Sequence, residues 1–503
     1  MKLKIISRKS ALAQIQANQV AKKILDSDPS IEIDFILKET QGDIDLSTPL
    51  HQMKEPGVFS KDIKAELLNG NADIAIHSWK DLPVDLDEGT EIIGTINRAD
   101  MRDMLFLKKT SKYNNTLNLF SSSPRRERNL KSFLPKALPG NNIDIDFHDI
   151  RGNILTRFKK LQDSSLDGLI VAKAAIDRLI NDDNSTFLAE QTELKKIIEE
   201  MAWMILPLSV NPCAAAQGAI AIEAKSENTK IRSIIDKLSD KTIFQAAQEE
   251  REILKSYGGG CHQKIGVSLQ QHKLGEILNV IGETEEGLEI NMHSFRPKKV
   301  IKKFFKGASK ESIYPQKNEK PLFFKRKPIK HFNEELSKID NAGIYISRSN
   351  ALDSEIFIKE SNYIWASGIE TWLNLAKSGK WVNGCSDSLG EEESPANNPF
   401  SVIKWYKLSH NNKINSERII STYELIPLKL DPSIAKKTHF FWMSASSFER
   451  AIEEFPEILN AKHASGLGKS FDIIESHTPG NVQPFLDYQD WLNQLESNCP
   501  SSF

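Results

Sequence analysis

Apolar runs of strand length alternate with amphipathic helical patterns over the first hundred residues. The strand-like runs are residues 3–6, 31–37, 72–76 and 92–96, and the helical patterns are residues 10–25 and 61–68. This alternation predicts an α/β layer with substantial parallel pairing. Ligands of such open sheets bind beyond the carboxyl ends of the strands, so we expect functional residues in the loops that follow them.

A second α/β unit begins near residue 103, where strand-like and helical patterns alternate again. Two later apolar segments indicate a return of the chain to the first unit. The strand-like runs are residues 103–107, 143–148 and 168–171, the helical patterns follow Ser123 and Ile154, and the returning segments are residues 205–208 and 218–222.

The pattern changes after residue 229. Two consecutive helical patterns, at 230–238 and 242–257, precede three short alternating segments that predict a small antiparallel sheet and therefore an α+β domain. Residues 298–330 then carry a dozen Lys or Arg against two acids, with three prolines, which predicts a linker. Strand-helix alternation resumes near residue 335 and indicates a further α/β region.

These changes of pattern divide the chain into five parts. We expect a first α/β domain, a second α/β domain inserted into it, an α+β domain, a basic linker and a C-terminal α/β region. Their predicted boundaries are residues 1–98 with 203–228, residues 99–202, residues 229–300, residues 301–334 and residues 335–495.

Composition narrows the classes of partner and compartment. The 503 residues include 66 Lys or Arg and 68 Asp or Glu, a balance that excludes the broad basic field of a nucleic-acid binder. No run approaches the ~20 apolar residues of a membrane span, and the N-terminus has no apolar signal-peptide core. The four cysteines lie far apart without CxxC spacing, which favours neither a disulfide scaffold nor a metal site. We expect a cytoplasmic protein without metal.

Titratable residues cluster where the strand at 72–78 stops. Lys80 and Asp81 follow it directly in the segment ADIAIHSWKDLP. A solvated turn with a neighbouring ion pair would explain a lone Lys-Asp equally well. Their place beyond the carboxyl end of a strand favours a ligand site.

Several arginines stand where strands lead into helices. Ser123 and Pro124 suit the start of a helix, which puts Arg125 and Arg126 in a first turn where the helix dipole disfavours cations. Such a placement indicates a bound anion. Together, these arginines predict a ligand with many negative groups. The others are Arg8, Arg151, Arg157 and, on a helix, Arg178.

A glycine-rich loop presents one cysteine. Cys261 follows three consecutive glycines, which let the backbone bend freely and approach another body closely. Metal binding or redox exchange would need a second ligand or thiol nearby, and the adjacent His262 is poorly placed to share a metal. A covalent attachment point is the more natural interpretation, whereas Cys213, Cys385 and Cys499 are interpreted as structural.

Seven segments in family order over the first 300 residues resemble the hydroxymethylbilane synthases, also called porphobilinogen deaminases. They are RKSALAQIQ at 8–16, GVFSKDIKAELLNGNADIAIHSWKDLP at 57–83, SSSPRR at 121–126, RGNILTR at 151–157, VAKAAIDRL at 171–179, AQGAIAIE at 216–223 and GGGCHQKIGV at 258–267.

The resemblance implies two periplasmic-binding-protein-like α/β domains that flank a cleft, with a third domain that presents the cysteine. It implies a transferase of tetrapyrrole biosynthesis that adds four porphobilinogen units, with loss of ammonia, to a dipyrromethane cofactor. Water then releases the linear hydroxymethylbilane. Each pyrrole carries two carboxylates, so a basic cleft suits the growing chain. We expect a monomer whose partner is this small-molecule substrate.

The resemblance also implies the role of each candidate residue. Asp81 matches the catalytic aspartate, which would hold pyrrole N–H groups and stabilise the cation formed as ammonia leaves, and Lys80 would act beside it. Cys261 would hold dipyrromethane through a thioether. Further cofactor-binding residues would be Ser10, Ser78, Lys80, Asp81, Ser122, Ser123, Arg125, Arg126 and Gly152, and the substrate-binding residues would be Arg8, Gln16, Arg151, Arg157 and Arg178.

The C-terminal region carries a fainter likeness. GIYISRS at 343–349, YIWASGIETW at 363–372 and FFWMSASSFERAIEEF at 440–455 resemble uroporphyrinogen-III synthase, which has two α/β lobes. The region is either an active synthase or a degenerate, purely structural domain, and no catalytic residue can be named in it. From another class, a non-catalytic module that binds carboxylate ligands would explain the arginines of the first domains but not the cysteine loop.

Overall fold

The computed structural model describes residues 1–40, 60–86, 88–112, 114–140, 143–182, 185–259, 263–317, 319, 322–329, 332–349, 357–390, 404–410 and 418–498. The chain forms two units, and each is treated by itself. Unit 1 is Met1–Gln270 with Leu278–His293, and unit 2 is Gln271–Ile277 with Ser294–Phe503.

The first sheet of unit 1 has the order β2-β1-β3-β10-β4. β1 pairs in parallel with β2 and β3, whereas β10 lies antiparallel between β3 and β4. The chain therefore returns to this sheet only after completing a second one. The elements are β1 (Lys2–Arg8), α1 (Ala11–Ser27), β2 (Glu32–Lys38), α2 (Lys61–Leu68), β3 (Ile74–Ser78), β4 (Thr90–Gly94) and β10 (Ile220–Lys225).

The second sheet of unit 1 has the order β7-β6-β8-β5-β9, with β5 antiparallel to both of its neighbours. The predicted crossing at residue 203 falls inside β9, so the chain leaves this sheet after Ile205. The elements are β5 (Asp103–Lys108), β6 (Thr116–Phe120), α3 (Pro124–Leu130), α4 (Leu134–Ala137), β7 (Asp144–His148), α5 (Ile154–Gln162), β8 (Gly168–Ala172), α6 (Lys173–Ile180), α7 (Leu188–Glu199) and β9 (Met201–Ile205).

Two helices and a three-stranded sheet of order β11-β12-β13 follow. The helices are α8 (Thr229–Ile235) and α9 (Lys241–Ser256), and the strands are β11 (Gly266–His272), β12 (Gly275–Glu283) and β13 (Glu289–Pro297). One face of α9 packs on this sheet through Ala246, and its neighbour Ala247 packs on the first sheet's loops. This helix therefore joins two parts of unit 1.

Unit 2 is α/β, as predicted for the C-terminal region, and contains two sheets. The order β14-β21-β22-β23 is parallel throughout, and in the order β15-β20-β19-β16-β17-β18 only β15 runs antiparallel to its neighbour. The strands are β14 (Ile313–Tyr314), β15 (Phe324–Pro328), β16 (Ala342–Ile346), β17 (Tyr363–Ala366), β18 (Gly384–Cys385), β19 (Lys404–His410), β20 (Ile419–Pro427), β21 (His439–Trp442), β22 (Lys462–Ser465) and β23 (Val482–Pro484).

In the described part of unit 2, helices pack beside these two sheets. α12 packs beside β21 and α13 beside β22 and β23, whereas α11 packs beside β17 and β18. The helices are α10 (Phe332–Ser337), α11 (Ile369–Lys377), α12 (Ala445–Glu454), α13 (Lys469–His477) and α14 (Tyr488–Asn498).

The segment 301–334 differs from the predicted linker. It contributes β14 to one sheet of unit 2 and β15 to the other. Phe304, Phe305 and Ala308 are buried in a cluster with Phe441 and Trp491. The lysines around these residues are exposed, which is why charge counting indicated a linker; they are Lys302, Lys303, Lys306 and Lys310.

Among the described residues, Cys213 is a buried free thiol, and Cys385 is also buried. The same part of the chain holds no group of three His, Cys, Asp or Glu side chains placed to bind a metal ion. None of its helices combines the length and the apolar character needed to cross a membrane.

Candidate active site

A cleft of about 710 Å³ lies between the two α/β sheets of unit 1. Loops from both sheets line it, at the strand-to-helix turns singled out from the sequence. Among the described residues that line it, seven are Lys or Arg and three are Asp or Glu. The cleft is thus strongly cationic although the whole chain is nearly neutral. The predicted site residues in its lining are Arg8, Ser10, Ser78, Lys80, Asp81, Arg126, Arg151, Gly152, Arg157 and Arg178.

The turn that follows β3 carries Lys80 and Asp81. Residues 79–81 form one turn of 3-10 helix directly after Ser78. Trp79 anchors this turn. Its indole ring is buried, with its centroid 5.2 Å from that of the Phe244 ring. The backbone N–H of Trp79 donates to the Ala219 carbonyl at 3.1 Å. With Trp79 fixed inward, Lys80 and Asp81 reach the cleft, and Asp81 is exposed there.

A buried glutamine holds Lys80. The Nζ atom of Lys80 donates to Oε1 of Gln217 at 3.1 Å. Burial lowers the pKa of Lys80, and the neighbouring carboxylate of Asp81 opposes that change. Lys80 is therefore a restrained cation beside the candidate catalytic carboxylate.

Arg125 and Arg126 share one buried acid. Arg126 donates to both carboxylate oxygens of Asp103, at 2.7 and 3.0 Å, and Arg125 donates to Oδ2 at 2.8 Å. Burial opposes ionisation of Asp103, but the guanidinium groups of Arg126 and Arg125 outweigh it and hold its pKa well below the usual range. Arg125 also donates to Asn211 and Pro212.

This arrangement gives Arg125 a partner within the chain, and its predicted contact with the cofactor stays a prediction. It was expected to bind an anionic ligand at the first turn of α3, but it does not line the cleft. Its anion is the chain's own Asp103, which the sequence pattern did not single out. Arg126 does line the cleft and keeps the predicted place.

Arg157 and Arg178 are buried cations, and neither has a carboxylate hydrogen-bonded to it among the described residues. Burial and the nearby charges of Arg126 and Arg151 lower the pKa of Arg157 to about 10, and burial lowers that of Arg178 to about 10. Arg157 donates to the Gly152 carbonyl at 2.8 Å, and Arg178 donates to the Gly218 carbonyl at 2.7 Å. Within the described residues, Nε of Arg178 is buried and has no hydrogen-bond partner. An anion bound in the cleft would stabilise these buried guanidinium charges.

The predicted hydroxyl and amide ligands fall into two groups. Nε2 of Gln16 donates a hydrogen bond to Oγ of Ser78 at 2.9 Å. Both residues line a smaller cavity of about 60 Å³ together with Ser10. Ser122 instead bonds the backbone of Ile150, and Ser123 caps α3 by accepting from the N–H of Arg126 at 3.5 Å. Ser122 and Ser123 do not line the cleft, because they are used to shape the loop before α3.

Cys261 lies outside the described residues, so its predicted role is untested. The glycines before it are described: Gly258 and Gly259 have φ values of +102° and +62°, which favour glycine. A Cβ atom on Gly259 would lie 3.6 Å from the side chain of Val84. The start of the cysteine loop is therefore close to the segment that follows Asp81.

Helix α9, which leads into this loop, also contacts the Lys80-Asp81 turn. Arg251 donates to the carbonyls of Trp79 and Leu82, at 3.2 and 3.3 Å, and to that of Pro83. Sequence reasoning missed Arg251, Gln217 and Asp103. Gln217 lies in the quoted segment AQGAIAIE, but nothing in a single sequence separated it from its neighbours.

Comparison with known proteins agrees with this geometry. A family model described as "Porphobilinogen deaminase, dipyromethane cofactor binding domain" matches residues 3–233. A porphobilinogen deaminase of Caldicellulosiruptor saccharolyticus is 36% identical over 269 residues, which are 53% of this chain and 83% of that protein. The chain belongs to the porphobilinogen deaminase family.

Other members of the porphobilinogen deaminase family match to a similar extent. The protein of Dictyostelium discoideum is 34% identical over 58% of this chain and 82% of its own length. That of Prochlorococcus marinus subsp. pastoris is 34% identical over 53% and 78%. The family predicted from the seven segments is therefore confirmed.

Solved structures similar to this porphobilinogen deaminase family member include two extracellular or periplasmic binding proteins. The probable amino-acid transporter binding protein ytmK of Bacillus subtilis gives a TM-score of 0.27 at 10% identity, covering 51% of this chain and 97% of that one. The aliphatic sulphonate binding protein SsuA of Escherichia coli gives 0.27 at 10%, covering 51% and 70%. The fold assignment rests on the sheet orders given above.

Proposed function

We propose that the cleft of unit 1 is the active site of a hydroxymethylbilane synthase. The enzyme condenses four porphobilinogen molecules stepwise, releases ammonia at each step, and frees the linear tetrapyrrole by hydrolysis. The observation that carries the proposal is the exposed carboxylate of Asp81 among seven cations, in a chain of the porphobilinogen deaminase family. Porphobilinogen is thus its small-molecule substrate.

The residues of the cleft fit the dipyrromethane cofactor of this family. The guanidinium of Arg178 keeps a buried N–H without a partner among the described residues, and Arg157 is crowded by other cations. Both features suit the carboxylate arms of pyrroles. When bound, dipyrromethane supplies the pyrrole carbon to which the first substrate unit is joined. We assign its covalent attachment to Cys261 and its carboxylate contacts to Arg126, Lys80 and the serines that line the cleft.

Asp81 is the proposed catalytic carboxylate. Its oxygens can accept the pyrrole N–H of incoming porphobilinogen and offset the positive charge that develops as ammonia departs. Lys80 and Arg126 hold cofactor carboxylates beside it, while Arg8, Gln16, Arg151, Arg157 and Arg178 bind the acid groups of the substrate rings. The work of the chain is therefore to orient polyanionic rings and to supply one negative charge at the reacting centre.

The substitution Asp81→Asn tests this role because it keeps the shape and removes the charge. We expect porphobilinogen consumption to fall at least about a hundredfold while the protein stays folded. Asp85→Asn is a matched control, since Asp85 is exposed and forms an ion pair with Lys255. Equal rates for Asp81→Asn and the wild type would contradict the assignment.

Intact-protein mass spectrometry tests the attachment at Cys261. The wild type should carry the added mass of two pyrroles, and Cys261→Ser should lack it. A wild-type protein without any adduct that nevertheless consumes porphobilinogen would exclude the cofactor claim. Ehrlich's reagent, which colours bound dipyrromethane, separates the enzyme from a non-catalytic carboxylate-binding module.

The compartment and assembly state belong to the same proposal. We place the enzyme in the cytoplasm as a monomer that uses no nucleic acid. The buried free thiol of Cys213 supports a reducing compartment. Light scattering of the purified protein at micromolar concentration tests the monomer.

A second activity is proposed for unit 2. Its two α/β sheets, one parallel throughout and the other parallel except for the pairing of β15 with β20, support the likeness of the C-terminal region to uroporphyrinogen-III synthase. An active synthase would yield type III uroporphyrinogen when porphobilinogen is supplied to the full chain. Type I alone, the product of spontaneous closure, would identify unit 2 as inactive.

A further inference from the structure

A fully buried glutamine bridges the two sheets that flank the cleft. The exposed fraction of Gln217 is 0%, yet the residue belongs to the lining of the cleft. Its Oε1 accepts from Nζ of Lys80 at 3.1 Å, and its Nε2 donates to Oδ1 of Asp103 at 2.9 Å. One side chain thus joins the turn after β3 to the start of β5.

The orientation of this amide is fixed by its partners. Nε2 also donates to the carbonyl of Met101 at 2.7 Å, so both acceptors lie on the nitrogen side of the amide and the ammonium group of Lys80 lies on the oxygen side. A reversed amide would place its oxygen against two acceptors and its nitrogen against an ammonium group. The backbone beside it is held as firmly, because Arg98 donates to the Gln217 carbonyl at 2.9 Å.

The neutrality of the amide matters because of the charges around Lys80. An amide oxygen restrains the ammonium by a charge-assisted hydrogen bond but leaves its positive charge uncancelled for a ligand. A carboxylate in the same place would pair with Lys80 and would face Asp103. The charged groups that act on Lys80 are Asp81 beside it on the turn, Asp103 at the start of β5, and Arg125 and Arg126 on α3.

We propose that Gln217 is a positioning residue that holds the Lys80 ammonium in the cleft, aligned on Asp103, so that Lys80 binds a carboxylate of the pyrrole chain beside Asp81. This inference rests on the proposed function, because it assigns a purpose to Lys80. Gln217 acts through Lys80 and is not proposed to contact the reacting atoms. It also explains why a buried amide stands in the wall of a charged cleft.

The substitution Gln217→Met tests the inference, since it keeps the length of the side chain and removes its three hydrogen bonds to Lys80, Asp103 and Met101. Without the amide oxygen, the ammonium form of Lys80 loses a stabilising partner, and more of the neutral amine is present at a given pH. We expect the acetylation rate of Lys80 at pH 8, followed by peptide mass spectrometry, to rise about tenfold. This readout does not require turnover.

Steady-state kinetics give the second readout. A misplaced Lys80 should raise KM for porphobilinogen about tenfold while kcat changes by less than about threefold, because ligand binding is lost and Asp81 is untouched. Wild-type turnover tests the proposed function, and the difference between wild type and Gln217→Met tests this inference. If the wild type is inactive but Lys80 is acetylated faster in Gln217→Met, the proposed function is rejected, whereas the role of Gln217 in holding Lys80 is supported.

Asn211 provides the matched control. It is also fully buried and donates to Asp103, at 2.9 Å, but it does not contact Lys80 in the described structure. Asn211→Leu should lower the unfolding temperature as Gln217→Met does, yet leave both Lys80 acetylation and KM within about twofold of wild type.

The inference is wrong if the two variants behave alike, since a purely structural role at Asp103 would then suffice. If Gln217→Met does not fold, judged by circular dichroism, Gln217→Asn replaces it: the shorter amide stays polar but cannot span both partners. Unchanged Lys80 acetylation in a folded Gln217→Asn protein would overturn the inference equally.

Discussion

At the scale of single residues, the positive charge of the cleft depends on one acid behind it. Asp103 is fully buried and is contacted by Arg125, Arg126, Asn211 and Gln217. An uncompensated pair of buried guanidinium groups would be costly, because buried charges need partners. Because Asp103 compensates their charge, α3 can carry Arg125 and Arg126 side by side, with Arg126 in the lining of the cleft.

Asp103 should make stability depend on acid pH. The pKa of Asp103 is lower in the folded state than in the unfolded state, where it is about 3.9. Asp103 therefore stabilises the folded protein at pH values above about 3.9, and this stabilisation is lost as the pH falls through the pKa of the folded state. We expect Asp103→Asn to lower the free energy of unfolding at pH 7 by about 3–5 kcal/mol. Urea unfolding between pH 7 and pH 3 should show a shallower acid decline in the variant, and identical slopes would contradict this account.

Cys213 should be chemically inert in the native protein. Burial raises the pKa of its thiol to about 12, so almost no thiolate is present near neutrality. We expect no alkylation of Cys213 by iodoacetamide at pH 8 without denaturant. Alkylation should become complete in 6 M guanidinium, as peptide mass spectrometry can check, and rapid native modification would show that the site opens.

The arginine pair also shows how far residue-level prediction reached. Most of the predicted arginines line the cleft, because strand-to-helix turns of one sheet edge converge in space. Adjacent residues on a helix point about 100° apart, and of this pair Arg126 belongs to the lining of the cleft whereas Arg125 does not. Choosing between them required Asp103, a partner on another element, which a single sequence does not reveal.

At the scale of elements, α9 supports both halves of the proposed chemistry. Arg251 binds carbonyls of the turn that carries Lys80 and Asp81, and the helix ends at the glycines that lead to Cys261. One turn later, Lys255 pairs with Asp85. A rigid helix can therefore fix the distance between the attachment loop and the catalytic turn.

We expect Arg251→Met to reduce kcat about tenfold or more, because three carbonyls lose their donor and the Asp81 turn loosens. Lys255→Met is the control: it removes an exposed ion pair on the same helix, and such pairs contribute little. Its kcat should stay within twofold of wild type. Porphobilinogen consumption measures both variants, and equal losses would indicate general damage to α9.

The segment 301–334 shows where element prediction failed. Its charge run and prolines indicated a linker, yet it contains strands of both sheets of unit 2. Phe304 and Phe305 are the apolar residues that a count of charges overlooked. β14 spans only two residues, too few for any periodicity to be read.

At the scale of the whole molecule, each unit has its own buried core. In unit 2, Trp442 is nearly inaccessible, stacks on Phe440 with centroids 5.1 Å apart, and donates to His463 at 3.0 Å. We expect Trp442→Ala to lower the free energy of unfolding of unit 2 by about 3–5 kcal/mol. Scanning calorimetry should show one transition shifted downward.

The surface substitution Leu322→Ala serves as control, since Leu322 is 71% exposed and its removal should leave that transition in place. Porphobilinogen consumption at a temperature below both transitions should be unaffected in either variant. Loss of consumption in Trp442→Ala alone would show that unit 1 depends on an intact unit 2.

The two-residue strand β14 has a consequence for biosynthesis. It pairs with β21, whose first residue comes about 125 positions later, and the whole six-stranded sheet is encoded between them. At about 5–20 residues per second, β14 leaves the ribosome on the order of ten seconds before its partner. During that interval Tyr314 and its aromatic neighbours have no strand to cover them, so nascent chains halted there should be the species that chaperones capture.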